Sequence, residues 1–305
     1  MTSLPASVRL DPNGYGGLPV VRVDGAGARA DIYLHGATVT DWTPRGGEPV
    51  LWVSSASRFT SERPIRGGVP ICFPWFGPAA GHPELPSHGF ARLSDWSLVG
   101  AHDDGGDVTL RLRLSDLDAT GASVWPHRFE AIYTIVVGAR LSLALTVTNS
   151  GTDGVVFEEA FHTYLGVRDI GATEVTGLEG TTFYDQLAGP EPVGGEPHGV
   201  RFEAETDRIY VDADTSTTVR DLQSGRSVLI TKSGAGTTMV WNSWITKAAD
   251  VNDFGDDEWK TMVCVEVCNI GDAAIRLAPG GSHTMTAMFE LPPTTRPLAN
   301  RSLSS

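Results

Sequence analysis

The chain has 305 residues, 41% hydrophobic and 20% charged, which suits one large globular domain or two ordinary ones. Its net charge of -14 repels nucleic acid and anionic lipid alike, so it argues against a nucleic-acid-binding or membrane-surface protein. An anionic small substrate stays open, because a local group of arginines can reverse the field over one cleft.

The three cysteines, Cys72, Cys264 and Cys268, give no disulfide framework and fit a reducing compartment. The opening MTSLPASVRLDPNGYGG has neither a basic n-region nor an apolar h-region, and no apolar run reaches the roughly eighteen residues of a membrane span. The expectation is a cytoplasmic protein.

Taken in chain order, the elements are mostly period-two. Ala30 to Trp42 reads as a strand. In DVTLRLRLSD, Val108, Leu110, Leu112 and Leu114 point one way while Thr109, Arg111 and Arg113 point the other. FEAIYTIVVGARLSLALTVTNSG is two such runs joined at Gly138-Ala139-Arg140, a hairpin. Further strands are expected over Val155 to Tyr164, Ser227 to Lys232, Thr237 to Trp241, Thr261 to Cys268 and His283 to Leu291. Helix is scarce: a short segment around Lys247 to Val251 and one turn near Asp256 to Lys260. Strands do not alternate with long amphipathic helices, so the fold class is all-β, a large antiparallel β-sandwich filling a single domain over 1–305. The polar stretch after Pro292 is expected to fray.

Several motifs carry no chemistry. GAGARA from Gly25 fits a loose dinucleotide fingerprint, but a strand pattern follows it where a helix is needed. The triplet Asp253-Phe254-Gly255 stands without the other parts of a kinase, and NDFGDDEW lacks the alternating oxygen ligands of a calcium loop and reads as a solvated acidic turn. Cys264 and Cys268 share a strand face, yet two thiols do not make a zinc site.

Two strands place a polar residue where the pattern calls for an apolar one. His162 shares a face with Glu158, Ala160 and Tyr164; Glu266 shares one with Cys264 and Cys268 and is flanked by Val265 and Val267. A carboxylate inside so apolar a strand is costly unless paired, and its pKa is movable, which suits proton transfer near neutral pH. A lone strand histidine is more often structural, so the two matter only as a pair across one sheet face. Earlier, IRGGVPICFPWFG (Ile65 to Gly77) and SHGFAR combine glycines and bulky aromatics with Arg66 and Arg92, close to Arg58 and Arg63. Guanidinium groups grip phosphate or carboxylate, glycines let a ligand approach the backbone, and aromatic rings suit a sugar face. Pairing with surface acids explains the same arginines equally well.

At this point a resemblance enters. IRGGVPICFPWFG, HGFAR, FHTYLGV, GLEGTTFYDQ, TDRIYVD, VWNSWITKAADVNDFGDDEWKTMVCVE and LAPGGSHTMTAMFEL occur in that order. Together they resemble the hexose-6-phosphate mutarotases (glucose-6-phosphate 1-epimerases) of the aldose 1-epimerase superfamily, from about Ile32 to Leu291. The resemblance implies a galactose-mutarotase-like β-sandwich, no metal and no organic cofactor. The expected partner is a small-molecule sugar phosphate, with no nucleic acid or membrane, and the expected state is a monomer. It implies that His162 and Glu266 are catalytic, that Arg66 and Arg92 bind substrate, that Asp207 binds sugar hydroxyls, and that His88 is a further contact. Two positions depart from the family pattern: Ser87 stands where Gln is usual, and Val267-Cys268 where Pro-Gly is usual.

The expected reaction is α/β anomer exchange of a hexose 6-phosphate. Ionised Glu266 would take the C1 hydroxyl proton while protonated His162 donates to the ring oxygen. The rivals are a mutarotase of unphosphorylated aldoses, a sugar-binding sandwich without catalysis, and a glycosidase in which Glu158 or Glu159 partners Glu266.

Overall fold

The computed structural model describes residues 4–211 and 216–292. The stretch expected to fray after Pro292 lies outside the described residues. Two large sheets dominate, and every ladder between their strands is antiparallel.

The nine-stranded sheet runs, from edge to edge, through Val200–Arg201, Thr173–Thr176, Thr217–Asp221, Arg226–Ser233, Ser282–Glu290, Leu141–Asn149, Phe129–Val137, Val108–Ser115 and Ser97–Asp103. Strict alternation fixes its register. In Phe129–Val137 and Leu141–Asn149 every second residue is buried and the rest are half-exposed. Each fully buried Leu or Ile there contributes about 1.5–3 kcal/mol.

The eight-stranded sheet runs through Pro192–Val193, Phe183–Asp185, Thr206–Val211, Thr237–Asn242, Met262–Asn269, Glu159–Phe161 and Ile71–Cys72, with Tyr164–Gly166 also on Met262–Asn269. One face of this sheet packs on the nine-stranded sheet, with the Tyr133 and Phe161 rings 5.6 Å apart. Its other face carries a second buried cluster of Cys72, Ala160, Met239, Cys268 and Ile270. Coverage on both faces is why Met262–Asn269 is buried at every residue, and why its sequence is nearly continuous in apolar residues.

A four-stranded sheet (Val8–Asp11, Val20–Asp24, Ala28–Tyr33, Thr38–Pro44) and a two-stranded one (Val155–Phe157 with Ile275–Leu277) complete the architecture. Among the described residues no helix is long and apolar enough to cross a membrane.

Four local expectations need correction. Ala30 to Trp42 is two strands, because Gly36 (φ 70°) and Ala37 (φ 48°) turn the chain back on itself. Val155 to Tyr164 is three short strands shared between two sheets. The helix is Trp244–Asp250, opened by Asn242, whose side-chain oxygen accepts from the Trp244 amide at 2.9 Å. The acidic turn is only half solvated: Asp253 is buried, and Glu258 accepts from Ser54 Oγ at 2.6 Å and from the Ser55 amide at 2.9 Å.

Candidate active site

The site is built by register. Along the strand pair that includes Phe161↔Val267 and Tyr164↔Cys264, His162 falls directly opposite Glu266, although the ladder is interrupted there. The next strand adds Met239 opposite Glu266 and Trp241 opposite Cys264, and the one beyond adds Ile209 and Asp207. Two rows therefore cross the sheet on one face: His162, Glu266, Met239, Ile209, and beside them Tyr164, Cys264, Trp241, Asp207. Neighbours in a row have Cβ atoms about 4.5–5.5 Å apart, so side chains from four strands converge without a loop having to place them.

Above these rows lies a cavity of about 460 Å³. His162, Asp207, His88 and Arg66 line it, together with Tyr164, Trp241 and Lys247. His162 Nδ1 is turned inward, 3.4 Å from Glu266 Oε1, and the imidazole stacks on Tyr164 with ring centres 4.7 Å apart and planes within 6°. Glu266 is completely buried behind the cavity wall. His162 Nδ1 and both Glu266 carboxylate oxygens lack a well-aligned hydrogen bond. Buried polar groups without partners are uncommon and costly.

The electrostatics follow from burial. Desolvation, followed by the charge of Asp207, pushes the Glu266 carboxyl well above its usual range. Desolvation, followed by His88, Arg92 and Arg66, pushes the His162 imidazole well below its own. His88 is brought down to about 3 by burial, then by Arg92 and Arg66, and is neutral at physiological pH. Its backbone sits at φ 63°, a conformation costly for a non-glycine residue. Nδ1 accepts from the Gly77 amide at 3.2 Å, and the ring stands edge-on to His162 at 5.6 Å. Asp207 is raised to about 6 by burial, then by Glu205 and Asp185; its buried Oδ1 has no partner.

The arginines divide. Arg66 reaches the cavity, its Nε donating to Asp253 at 3.1 Å and one terminal nitrogen to the Tyr164 hydroxyl at 3.3 Å. Arg92 is buried and not on the cavity wall; it donates to the Ser87 carbonyl at 2.8 Å, while its buried Nε has no partner. Arg58 and Arg63 do not line the cavity.

Two readings of the Ile65–Gly77 stretch are corrected. Its paired glycines serve the protein's own backbone: a Cβ on Gly67 would meet Val53 Cα at 2.4 Å, and one on Gly68 would meet the Val39 carbonyl at 2.1 Å. Its aromatics mostly build core. Phe73 packs on Phe90, Phe129 and Phe157 at 5.2–6.2 Å, and only Phe76 of that stretch reaches the cavity as an aromatic. Glu158 and Glu159 are likewise occupied. Glu158 accepts from the Phe76 and Gly271 amides, both at 2.8 Å, and Glu159 accepts from Asn269 at 2.9 Å. Neither is free to act as a second glycosidase carboxylate.

Sequence reasoning missed Lys247, Trp241, Tyr164 and Gln186 on the wall. The aromatic pair had a signal, since each lies two residues along a strand from a floor residue; Lys247 and Gln186 had none.

Comparison with known proteins places this chain in a family. Residues 19–290 match the family model described as aldose 1-epimerase. A relative from Cenchrus ciliaris, provisionally named a glucose-6-phosphate 1-epimerase, is 37% identical over 82% of this chain and 78% of its own. A crystal structure from Salmonella typhimurium, provisionally described as a mutarotase, superposes with a TM-score of 0.85 at 28% identity, covering 95% of both chains. A galactose mutarotase-like protein from Clostridium acetobutylicum, at 15% identity and a TM-score of 0.75 over 93% of this chain and 98% of its own, shares the fold. With its β-sandwich and its family match over nearly the whole chain, the protein belongs to the aldose 1-epimerase family.

Proposed function

We propose that this epimerase interconverts the α and β anomers of a hexose 6-phosphate, glucose 6-phosphate foremost, with His162 and Glu266 as the acid–base pair. The observation that carries the reading is the 3.4 Å approach of an inward-facing imidazole nitrogen to a fully buried carboxylate at the wall of a sugar-sized cavity. Relatives named for glucose 6-phosphate support the choice of substrate.

Anomer exchange requires a proton to leave the C1 hydroxyl and another to reach the ring oxygen; the ring opens, C1–C2 rotates, and the steps reverse. Two groups holding one proton between them suffice, each worth roughly a hundred- to ten-thousandfold. Burial favours the neutral arrangement, with the proton on Glu266 and His162 uncharged. Transfer of that proton from Glu266 to His162 yields the carboxylate base and the imidazolium acid that the reaction uses. Met239, unbranched and opposite Glu266, lies on the cavity wall beside the carboxylate. Asp207 accepts from a sugar hydroxyl, His88 contacts the sugar as a neutral ring, and Trp241 with Tyr164 offers an aromatic wall. Arg66 and Lys247 hold the phosphate, and Arg92 acts from behind.

A second reading has one observation in its favour. The Arg66 charge is already matched by Asp253 at 3.1 Å, which suits an unphosphorylated aldose. Exchange NMR on equilibrated glucose 6-phosphate and on glucose separates the two. Acceleration for the phosphorylated sugar alone upholds the proposal. Equal acceleration for both keeps the acid–base pair and abandons the phosphate site. No acceleration for either sinks the assignment.

A further inference from the structure

All three cysteines sit around Glu266. Cys264 precedes it by two residues on the same strand and therefore shares its face; Cys268 follows by two; Cys72 lies two strands over from Cys268, across Ala160. All are buried and free. Of these, Cys264 completes a compact donor set: one ligand atom each from His162, Cys264 and Glu266 lie within 4.8 Å of one another. The nitrogen and oxygen of that set are the buried atoms without hydrogen-bond partners, and they already stand 3.4 Å apart.

We propose that His162, Cys264 and Glu266 form a binding site for Zn²⁺, and that the metal inhibits the enzyme by occupying its acid–base pair. Zinc binds nitrogen, thiolate and carboxylate at about 2.0–2.3 Å, which sets tetrahedral ligand–ligand separations at roughly 3.3–3.8 Å. The His162–Glu266 separation already fits, and the thiol reaches the same spacing by closing about 1 Å. On binding, the thiol and the carboxyl each release a proton to solvent, so a dication meets two anions and the buried cluster carries no net charge. Magnesium and calcium require a larger set of oxygen ligands than this site offers, so the site selects against them. With zinc on the imidazole and the carboxylate, neither can pass a proton. The inhibition rests on the catalytic reading given above; the binding does not.

The test uses the full chain, stripped of metal with a chelator. Calorimetric titration with zinc chloride is expected to give one tight site per chain, and cobalt chloride a near-ultraviolet thiolate-to-cobalt charge-transfer band. Cys264→Ser and His162→Asn should each weaken zinc by at least ~10-fold, and Cys264→Ser should abolish the band, whereas Cys268→Ser should retain both. Two histidine variants guard against surface sites: loss of the tight site in His82→Ala or His283→Ala instead would overturn the proposal. So would a zinc titration unchanged in both Cys264→Ser and His162→Asn, the second serving if the first does not fold. Zinc should slow anomer exchange and chelator restore it. An enzyme that turns over at full rate with the tight site filled overturns the inhibition, and a protein with no exchange before zinc is added refutes the catalytic reading while the titration still decides the site.

Discussion

The two large sheets obey different rules. In the nine-stranded sheet, Leu143 and Leu145 are buried while Ser142, Ala144 and Thr146 are half-exposed, and the chemistry of each residue matches the side it faces. In the eight-stranded sheet, Met262–Asn269 is buried throughout and still carries Glu266 at its centre. The first sheet can be built from pattern alone. The second gives up stability to a polar pair that a core would not keep, and that pair stands where the cavity can use it for chemistry.

The sharpest way to break this contrast is Glu266→Gln. Loss of the base should lower kcat for anomer exchange by about 10²–10⁴-fold, read by exchange NMR, while the thermal midpoint holds or rises because a buried ionisable group has been removed. Its counterpart is Leu143→Ala, 1% exposed, which should cost about 2–5 kcal/mol in urea unfolding and leave kcat per folded molecule unchanged. If Glu266→Gln destabilised the protein as much as Leu143→Ala, the carboxylate would be a structural residue and the division of labour between the sheets would fail.

That contrast also explains what could be read from the sequence. Val108–Ser115 and the hairpin through Gly138 were legible because one face packs and the other meets water, which writes the fold into every second residue. His162 and Glu266 were visible as polar intrusions in apolar runs. Their placement opposite one another depends on which strands are neighbours, and that is set by the whole sheet. The paired glycines misled because close backbone packing and close ligand approach demand the same residue. Arg66 and Arg92 could not be ranked either. Both lie in glycine-rich aromatic sequence, and only the tertiary course of the chain brings one to the wall and leaves the other behind it. Lys247 is an exposed residue on a short helix, carried to the cavity by a connection whose path no local pattern records.

Lys247 gives a smaller effect that sharpens the phosphate half of the proposal. Because it is exposed, Lys247→Ala should leave stability within about 0.5 kcal/mol of the parent. It should raise KM for glucose 6-phosphate by about 3–10-fold through loss of one charged contact, with less effect at high salt. The KM for glucose should not move. An equal rise for both sugars would make Lys247 a general cavity residue and favour the unphosphorylated substrate.

The smallest expected effect lies at the border between the two regimes. Asp207 is held at about 6 in the folded protein against 3.8 for the free side chain, burial being the main cause. A carboxyl raised on folding binds its proton more tightly in the native state, so its stabilising contribution is complete below about pH 4 and is lost as the pH rises through about 6. Above that, an ionised Asp207 with an unpartnered buried Oδ1 opposes folding. Each tenfold gain in proton affinity is worth about 1.4 kcal/mol, so a rise from 3.8 to about 6 is worth at most about 3 kcal/mol, and screening by cavity water reduces that to about 1–2 kcal/mol. Asp207→Asn should therefore be more stable than the parent in urea at pH 8 by about that amount, with the two converging near pH 4. The same change should weaken sugar binding, because the amide is a poorer acceptor for the hydroxyl that the carboxylate would receive. A stabilised variant that bound sugar as well as the parent would mean that Asp207 contacts no hydroxyl, and the raised carboxyl would then be a cost without a function.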